Sequence, residues 1–306
     1  MTPIAIAAVT LVVIAVLGLF AALLFGPLGR RRSAELDARV VRARASTYAV
    51  LAAILAVAMV LGLPAVVLLL GGIAALALLE WCRLASLPTR HVVALQVSNL
   101  AVMLTTAIRG AEAVDLLVGG LVLAGVSLPV IRPDTTRAIR DFGIASVGLM
   151  ITSVMLAHGV ALVVERGEAG IILVAAVALG CAGSDVGAFV VGKRFGSTPL
   201  APSLSPSKTR EGLVGNVLGA AIGLLLLAPS IWSVGGPLLF GGLLVIVAVG
   251  SVWGDLLESA AKREFGAKDA GTWLPGFGGI LDRVDSLLLA LPLTYWALRL
   301  ADIVGV

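Results

Sequence analysis

The chain carries little charge and almost no cysteine. Only 13% of its 306 residues are charged, and two are Cys. Cys82 and Cys181 lie far apart in apolar segments and have no metal-ligand spacing, so we expect two small buried hydrophobic side chains. This pattern favours neither a disulfide nor a cysteine metal site.

Scarce charge and abundant apolar residues exclude a soluble globular domain. Hydrophobic residues make up 59% of the chain, and the mean hydropathy is +1.10. Because a spanning helix needs about 20 apolar residues, we predict an all-α, polytopic integral membrane protein with about ten transmembrane helices. The second and third segments are short and meet near Gly62, Leu63 and Pro64. The predicted segments are residues 3–27, 48–63, 64–82, 92–108, 113–131, 143–163, 169–192, 212–229, 236–257 and 286–304.

The basic residues predict the orientation of these helices. Segment 3–27 has no basic n-region and is followed by arginines at 30–32, so we expect a retained helix rather than a signal peptide. If those arginines are cytoplasmic, all 22 Lys and Arg residues except Arg109, Arg166 and Arg299 lie on the cytoplasmic side, as the positive-inside rule requires. The net charge of +4 follows from this bias, and no aromatic and basic pattern indicates nucleic-acid binding.

The last hydrophilic stretch, residues 259–285, combines acids, bases and glycines between two apolar runs. Asp282 and Asp285 are three residues apart and would share one face of a helix. Carboxylates, cations and a glycine turn suit a metal-bound polyphosphate. An ordinary basic loop held by the membrane surface is the alternative, but it leaves the acids and the 276–279 turn unexplained. The basic residues of the stretch are Lys262, Arg263, Lys268 and Arg283.

This stretch resembles the signature of the phosphatidate cytidylyltransferase family, integral-membrane enzymes that make CDP-diacylglycerol from CTP and phosphatidate. Ala261 departs from the family pattern, and Phe277 stands where the family usually has His. His91 and His158 lie elsewhere in the chain and do not replace that imidazole. The matching residues are Ser259, Lys262, Arg263, Lys268, Asp269, Gly271, Leu274, Pro275, Gly278, Gly279, Ile280, Asp282, Arg283, Val284 and Asp285.

Residues 254–259 are similar to the segment that leads into this signature, and two earlier blocks extend the resemblance to about residues 170–300. Residues 183–196 resemble a second shared block, and residues 204–212 match a Ser-Pro-x-Lys-Thr-x-Glu-Gly element. Residues 79–84 are similar to an early family segment only weakly. The helices before residue 170 therefore match mainly by hydropathy.

The resemblance implies nucleotidyl transfer, in which a phosphatidate oxygen attacks the α-phosphorus of CTP and pyrophosphate leaves. Both reactants are anionic, so Mg²⁺ is the expected cofactor. Asp255, Asp282 and Asp285 are the predicted ligands, since hard oxygen donors suit Mg²⁺. Asp255 could instead be a solvated helix-end residue, and Asp285 could pair with Arg283 or a lysine. The predicted catalytic residues are Asp255, Asp282, Lys268 and Arg283.

A further set of residues is predicted to bind the substrates. Asp185 lies about 10 Å below the cytoplasmic end of its helix, at ~1.5 Å per residue, and intramembrane carboxylates usually have a functional partner. Its glycine neighbours could serve helix packing instead. Ser205 and Thr209 could cap the next helix instead of binding phosphate. The predicted set is Asp185, Ser205, Lys208, Thr209, Lys262, Arg263, Gly278 and Gly279.

These expectations define three regions: an N-terminal helix and basic loop (1–47), N-terminal membrane helices (48–168) and a catalytic membrane region with two cytoplasmic motif loops (169–306). The expected location is the inner (plasma) membrane, with the active site on the cytoplasmic face. The expected partners are CTP, phosphatidate or a related lipid phosphate, and membrane lipids; a homodimer is left open. The alternatives are cytidylyl transfer to another lipid phosphate, an inactive scaffold, or a transporter, which the lack of repeats disfavours.

Overall fold

A computed structural model describes residues 53–112, 114, 116–120, 123–124, 135–267, 270–271 and 278–304. The predicted helix 3–27, the basic loop after it and much of segment 113–131 lie outside these residues. Lys268, Asp269 and Phe277 lie outside them too. Helices account for nearly all of the described chain.

The N-terminal half consists of helices that follow one another through short connections. Residues 53–61 are helical, and Gly62, with a φ of 80° that favours glycine, separates them from the next helix. Pro64 lies in the first turn of that helix, where its missing N–H is tolerated. The predicted boundary near these residues is therefore confirmed. The helices are α1 (Leu63–Leu84), α2 (Thr89–Arg109), α3 (Thr135–Leu149) and α4 (Met155–Arg166), and the π-helical turn Met150–Val154 joins α3 to α4.

The C-terminal half adds four helices and one small hairpin. Its strands pair antiparallel, with Pro199 opposite Thr209 and Ala201 opposite Ser205. The last but one helix is broken at Gly235 and Gly236, where Gly236 has a φ of 68°. Apart from the hairpin, the described chain is all-α, as predicted. The elements are α5 (Glu168–Phe195), β1 (Pro199–Ala201), β2 (Ser205–Thr209), α6 (Arg210–Leu225), α7 (Ala228–Glu264) and α8 (Leu281–Val304).

Six helices in the described residues are long and apolar enough to cross a membrane. Their outward side chains are apolar: Leu68 and Ile108, for example, are 76% and 77% exposed. A bilayer solvates such a surface, whereas water does not. The chain is therefore an all-α membrane protein. The six are Leu63–Leu84, Thr89–Arg109, Ile139–Arg166, Glu168–Phe195, Ala228–Glu264 and Leu281–Val304.

Two helices extend further than the sequence predicts, so several motif residues lie on helices and not in a loop. Helix α7 runs to Glu264 instead of ending near residue 257, and α8 begins at Leu281 instead of near residue 286. Lys262 and Arg263 therefore lie on α7, and Asp282 lies in the first turn of α8. The predicted motif loop is helical at both ends.

Close packing fixes the positions of α5 and α6 relative to each other. A Cβ on Gly219 of α6 would lie 2.0 Å from the carbonyl oxygen of Gly183 on α5, and one on Gly187 would lie 2.1 Å from that of Gly215. Only glycine permits backbones to approach so closely. These contacts confirm the packing role considered for the glycines beside Asp185, and they hold α6 and its hairpin against α5.

Candidate active site

Three carboxylates from α7 and α8 meet in one group. One oxygen from each of Asp255, Glu258 and Asp285 lies within 4.8 Å of the others. Asp255 and Glu258 are three residues apart and share a helix face. Helix α8 can approach because Gly254 has no side chain; a Cβ there would lie 2.2 Å from the carbonyl oxygen of Asp285. We call Asp255, Glu258 and Asp285 the carboxylate cluster.

Two lysines offset the negative charge of this cluster. Glu258 and Asp285 are each only 6% exposed. The Lys208 ammonium from β2 forms an ion pair with Asp255. The Nζ of Lys262 lies 2.5 Å from Oε2 of Glu258 and 2.6 Å from Oδ1 of Asp282. Since buried like charges repel unless they are paired, the cluster needs cations around it.

The hairpin that carries Lys208 is fastened at its base. The Thr209 hydroxyl oxygen accepts a hydrogen bond from the Gly212 N–H at 3.2 Å, which caps α6. The carboxylate of Glu211 accepts from the hydroxyl of Ser197 at 2.7 Å and from its N–H at 3.1 Å. The Ser197 hydroxyl is the main cause that lowers the pKa of the Glu211 carboxyl to about 2. These contacts hold the hairpin at the start of α6, and Lys208 on β2 reaches Asp255 on α7.

Asp282 fastens the amino-terminal end of α8. Its Oδ2 accepts hydrogen bonds from the Gly279 N–H at 2.7 Å and the Ala270 N–H at 3.2 Å, and its Oδ1 contacts Lys262. Gly278, with a φ of 82°, makes the turn into this segment. Lys262 therefore links Asp282 to Glu258 of the carboxylate cluster. The Gly279 N–H donates its hydrogen bond to Asp282.

Asp185 lies beside the cluster, on α5. The Ser286 hydroxyl of α8 donates to Oδ1 of Asp185 at 3.3 Å, and the charges of Asp255 and Arg283 act on this carboxylate. The preceding residue, Ser184, shares a 2.7 Å hydrogen bond with the Ser251 hydroxyl. The membrane carboxylate predicted to be functional thus contacts the same helix, α8, that carries Asp285.

The structure brings most of the predicted site residues together. Arg263 links α7 to the hairpin by donating to the Leu204 carbonyl oxygen at 3.4 Å, and Ser205 pairs with Ala201 in the hairpin. Lys268 lies outside the described residues. The predicted residues gathered around the cluster are Asp185, Lys208, Asp255, Lys262, Asp282, Arg283 and Asp285.

Sequence reasoning missed two carboxylates. Glu258 follows Asp255 by three residues, and that spacing would have revealed it had α7 been continued beyond residue 257. Glu80 lies 200 residues before Ile280, whose N–H donates to it at 2.9 Å. No local pattern in the sequence indicates that contact.

The carboxylate cluster fits a divalent metal ion. Its ligands are hard oxygen donors, which Mg²⁺ prefers. Within the described part of the chain, Oε1 of Glu258 is buried and has no hydrogen-bond partner. A buried carboxylate oxygen is rarely left unpaired, so this atom is suited to an ion.

An apolar cavity adjoins the cluster. Its walls come from α1, the π-helical turn, α4, α7 and α8, and Glu258 and Asp285 are its acidic members. Among its apolar lining residues are Trp81, Ile151, Met155, Leu257 and Leu288. A hydrocarbon group placed there would lie next to the carboxylates.

Comparison of the sequence with known proteins identifies the family of this helical membrane protein. The chain belongs to the cytidylyltransferase family, whose model matches residues 42–301. Among its relatives is the phosphatidate cytidylyltransferase of Brucella suis biovar 1 (strain 1330), 44% identical over 115 residues that cover 37% of this chain and 41% of that protein.

Other relatives have similar identity. The phosphatidate cytidylyltransferase of Bacillus subtilis (strain 168) is 45% identical over 121 residues, 38% of this chain and 44% of the relative. The uncharacterized protein YnbB of Escherichia coli (strain K12) is 38% identical over 117 residues, 38% of this chain and 39% of the relative. The chain thus spans about two fifths of the length of these curated relatives.

Proposed function

We propose that the protein transfers the cytidylyl group of CTP to phosphatidate, giving CDP-diacylglycerol and pyrophosphate for phospholipid biosynthesis. The observation that carries this proposal is the carboxylate cluster with Lys208 and Lys262 against it, in a membrane protein of the cytidylyltransferase family. Relatives named phosphatidate cytidylyltransferase support the choice of lipid.

Asp255, Glu258 and Asp285 would hold Mg²⁺, and Asp282 would support them through Lys262. When bound, the metal supplies charge neutralisation and alignment of phosphate oxygens. In this structure Lys208 pairs with Asp255, and Lys262 pairs with Glu258 and Asp282. With the carboxylates engaged, their ammonium groups become available to phosphate oxygens of CTP or of the lipid.

The protein needs to do little covalent chemistry. A phosphate oxygen of phosphatidate forms a bond to the α-phosphorus of CTP, while the bond from that phosphorus to the bridging oxygen breaks and pyrophosphate leaves. A phosphate monoester has its second pKa at about 6, so it is ionised near neutral pH and needs no general base. Phe277 in place of His is compatible with this reaction. Arg283 and Lys268 complete the proposed catalytic set by adding positive charge.

We propose that the lipid enters laterally from the membrane, between helices. The apolar cavity beside Glu258 and Asp285 would accept the part of the lipid next to its phosphate. Asp185 lies on α5, which also contacts α8. Ser205, Thr209, Arg263, Gly278 and Gly279 remain predicted substrate contacts. In this structure, hydrogen-bond partners of these residues belong to the hairpin, to the cap of α6 and to the start of α8.

An assay of the purified full chain tests the function. Labelled CTP and Mg²⁺ are mixed with phosphatidate, an ether-linked analogue or a polyprenyl phosphate, and CDP-lipid and pyrophosphate are measured. We expect equimolar CDP-diacylglycerol and pyrophosphate with phosphatidate. Faster turnover of another lipid phosphate would replace the substrate, and no CDP-lipid from any of them would contradict the function.

The location completes the proposal. About ten spanning helices in the inner membrane would put the hairpin and the start of α8 on the cytoplasmic face, where CTP is available. The positive-inside count supports this orientation. A homodimer stays a prediction.

Cysteine labelling checks the orientation. Because the hairpin and the end of α7 flank one site, Ser207→Cys and Glu264→Cys should react with an impermeant thiol reagent only from the cytoplasmic side. Gly167→Cys and Ser233→Cys should react only from the opposite side. The parent protein is the control, since Cys82 and Cys181 are buried. Labelling of residues 207 and 264 from different sides would contradict a single site.

A further inference from the structure

Glu80, near the end of α1, holds the beginning of α8 from across the fold. Its side chain is buried, with 1% of the residue exposed. One carboxylate oxygen accepts a hydrogen bond from the Ile280 N–H at 2.9 Å, and the other accepts from the Leu281 N–H at 2.7 Å. The two oxygens therefore bind two successive backbone groups at the start of α8.

These N–H groups are the ones that a helix cannot satisfy by itself. The first N–H groups of a helix have no intrahelical acceptor, and the positive end of the helix dipole favours an anion. A single carboxylate that binds two of them restrains both the position and the rotation of the first turn. Asp282 contributes the neighbouring contact, to the Gly279 N–H.

Glycines make room for this carboxylate. A Cβ on Gly279 would lie 2.4 Å from Oε2 of Glu80, and one on Gly271 would lie 2.6 Å from Oε1. Both backbones press against the carboxylate. Glu80 therefore connects Gly279, Ile280 and Leu281 to α1 and restrains their positions.

The restrained turn carries the residues of the proposed metal site. Leu281 is the first residue of α8, Asp282 follows it, and Asp285 lies one helical turn further on. A small rotation of this turn would move Asp285 away from Asp255 and Glu258. We propose that Glu80 is a positioning residue that sets the metal affinity of the carboxylate cluster without touching the metal. This inference rests on the proposed function, which supplies the metal.

Glu165, whose side chain is 31% exposed, provides a control further along α8. Its carboxylate also accepts a backbone hydrogen bond, from the Ala111 N–H at 2.9 Å, and it accepts from the Tyr295 hydroxyl of α8 at 3.1 Å. Replacing Glu165 thus loosens the same helix at a point far along it from Asp285. A purely structural role for Glu80 predicts that Mn²⁺ binding falls together with the melting temperature in the variants of both residues.

The experiment compares Glu80→Gln, Glu80→Asp and Glu165→Gln in the purified full-length protein. Gln keeps the length of the side chain and loses its charge, whereas Asp keeps the charge and is too short to reach both N–H groups. Mn²⁺ binding is measured by electron paramagnetic resonance without substrates, and the Mg²⁺ concentration for half-maximal turnover and the melting temperature are measured alongside. Losses of support for metal ligands typically lower affinity about 10- to 100-fold.

We expect both Glu80 variants to weaken Mn²⁺ binding at least about tenfold and to raise the Mg²⁺ requirement in parallel. Glu165→Gln should lower the melting temperature while Mn²⁺ binding stays within about twofold of wild type. Either Glu80 variant that can be purified is sufficient for the comparison.

Two results would overturn the positioning role. The first is Mn²⁺ binding within twofold of wild type in a Glu80 variant, and the second is an equal loss of binding in Glu165→Gln. Failure of the wild-type protein to bind Mn²⁺ and to form CDP-lipid would contradict the proposed function itself. The two failures are therefore distinguishable.

Discussion

Asp255→Asn is expected to lower turnover by about a thousandfold, a change of ~4 kcal/mol in the activation barrier. The substitution keeps the shape of the side chain but replaces one of the three carboxyl groups of the cluster with an amide, and it leaves Lys208 without its ion-pair partner. Because a weakened metal site can be filled by mass action, raised Mg²⁺ should restore part of the activity. Steady-state kinetics over a range of Mg²⁺ concentrations measure both effects.

Asp302→Asn is the matched control for this change. Asp302 is an exposed carboxylate near the far end of α8, where it pairs with Arg166, and its loss should leave turnover near wild type. An Asp255→Asn protein with the wild-type Mg²⁺ dependence would remove Asp255 from the proposed metal site.

Asp282→Asn is expected to reduce turnover and stability together, by at least a hundredfold in kcat and with a clearly lower melting temperature. The Asp282 side chain is 7% exposed, pairs with Lys262 at 2.6 Å and accepts two backbone hydrogen bonds. Removing one partner of a buried ion pair costs about 3–5 kcal/mol. Kinetics and thermal unfolding in detergent measure the two losses.

A double-mutant cycle with Lys262→Met shows whether Asp282 acts through that lysine. If it does, the free-energy loss of the double mutant is smaller than the sum of the two single losses, because the Lys262–Asp282 ion pair is removed only once. Lys262→Met also removes the contact with Glu258, so the double mutant still loses more than Asp282→Asn alone. Additive losses would contradict the link between Asp282 and the carboxylate cluster. Wild-type stability in Asp282→Asn would contradict its role at the start of α8.

The membrane character and most of the site residues were predictable from the sequence. Long apolar segments have one stable solution in a bilayer, the helix, because every backbone polar group must be paired within the segment. The roles predicted for Asp255, Asp282, Asp285 and Lys208 came from motifs that resemble those of the cytidylyltransferase family, and the three-residue spacing of Asp282 and Asp285 added that they share a helix face.

Helix ends were less predictable, and the site depends on them. Hydropathy detects where a segment becomes polar, not where its backbone stops being helical. Helix α7 continues to Glu264, whereas the hydropathy pattern predicts an end near residue 257 because the sequence becomes polar there. Because the chain stays helical after residue 257, Glu258 lies on the same helix face as Asp255, close to Asp285. For the same reason Lys262 can contact both Glu258 and Asp282.

By itself, the sequence determined that the chain is helical, that it lies in a membrane, and that acidic and basic residues are mixed in the polar stretch 259–285. Only the tertiary structure decided which carboxylates meet and what holds them. The separation in sequence is the reason: Asp285 follows Asp255 by 30 positions, and Ile280 follows Glu80 by 200 positions. Contacts of that kind depend on helix packing, which glycines such as Gly254 permit and which no local pattern encodes.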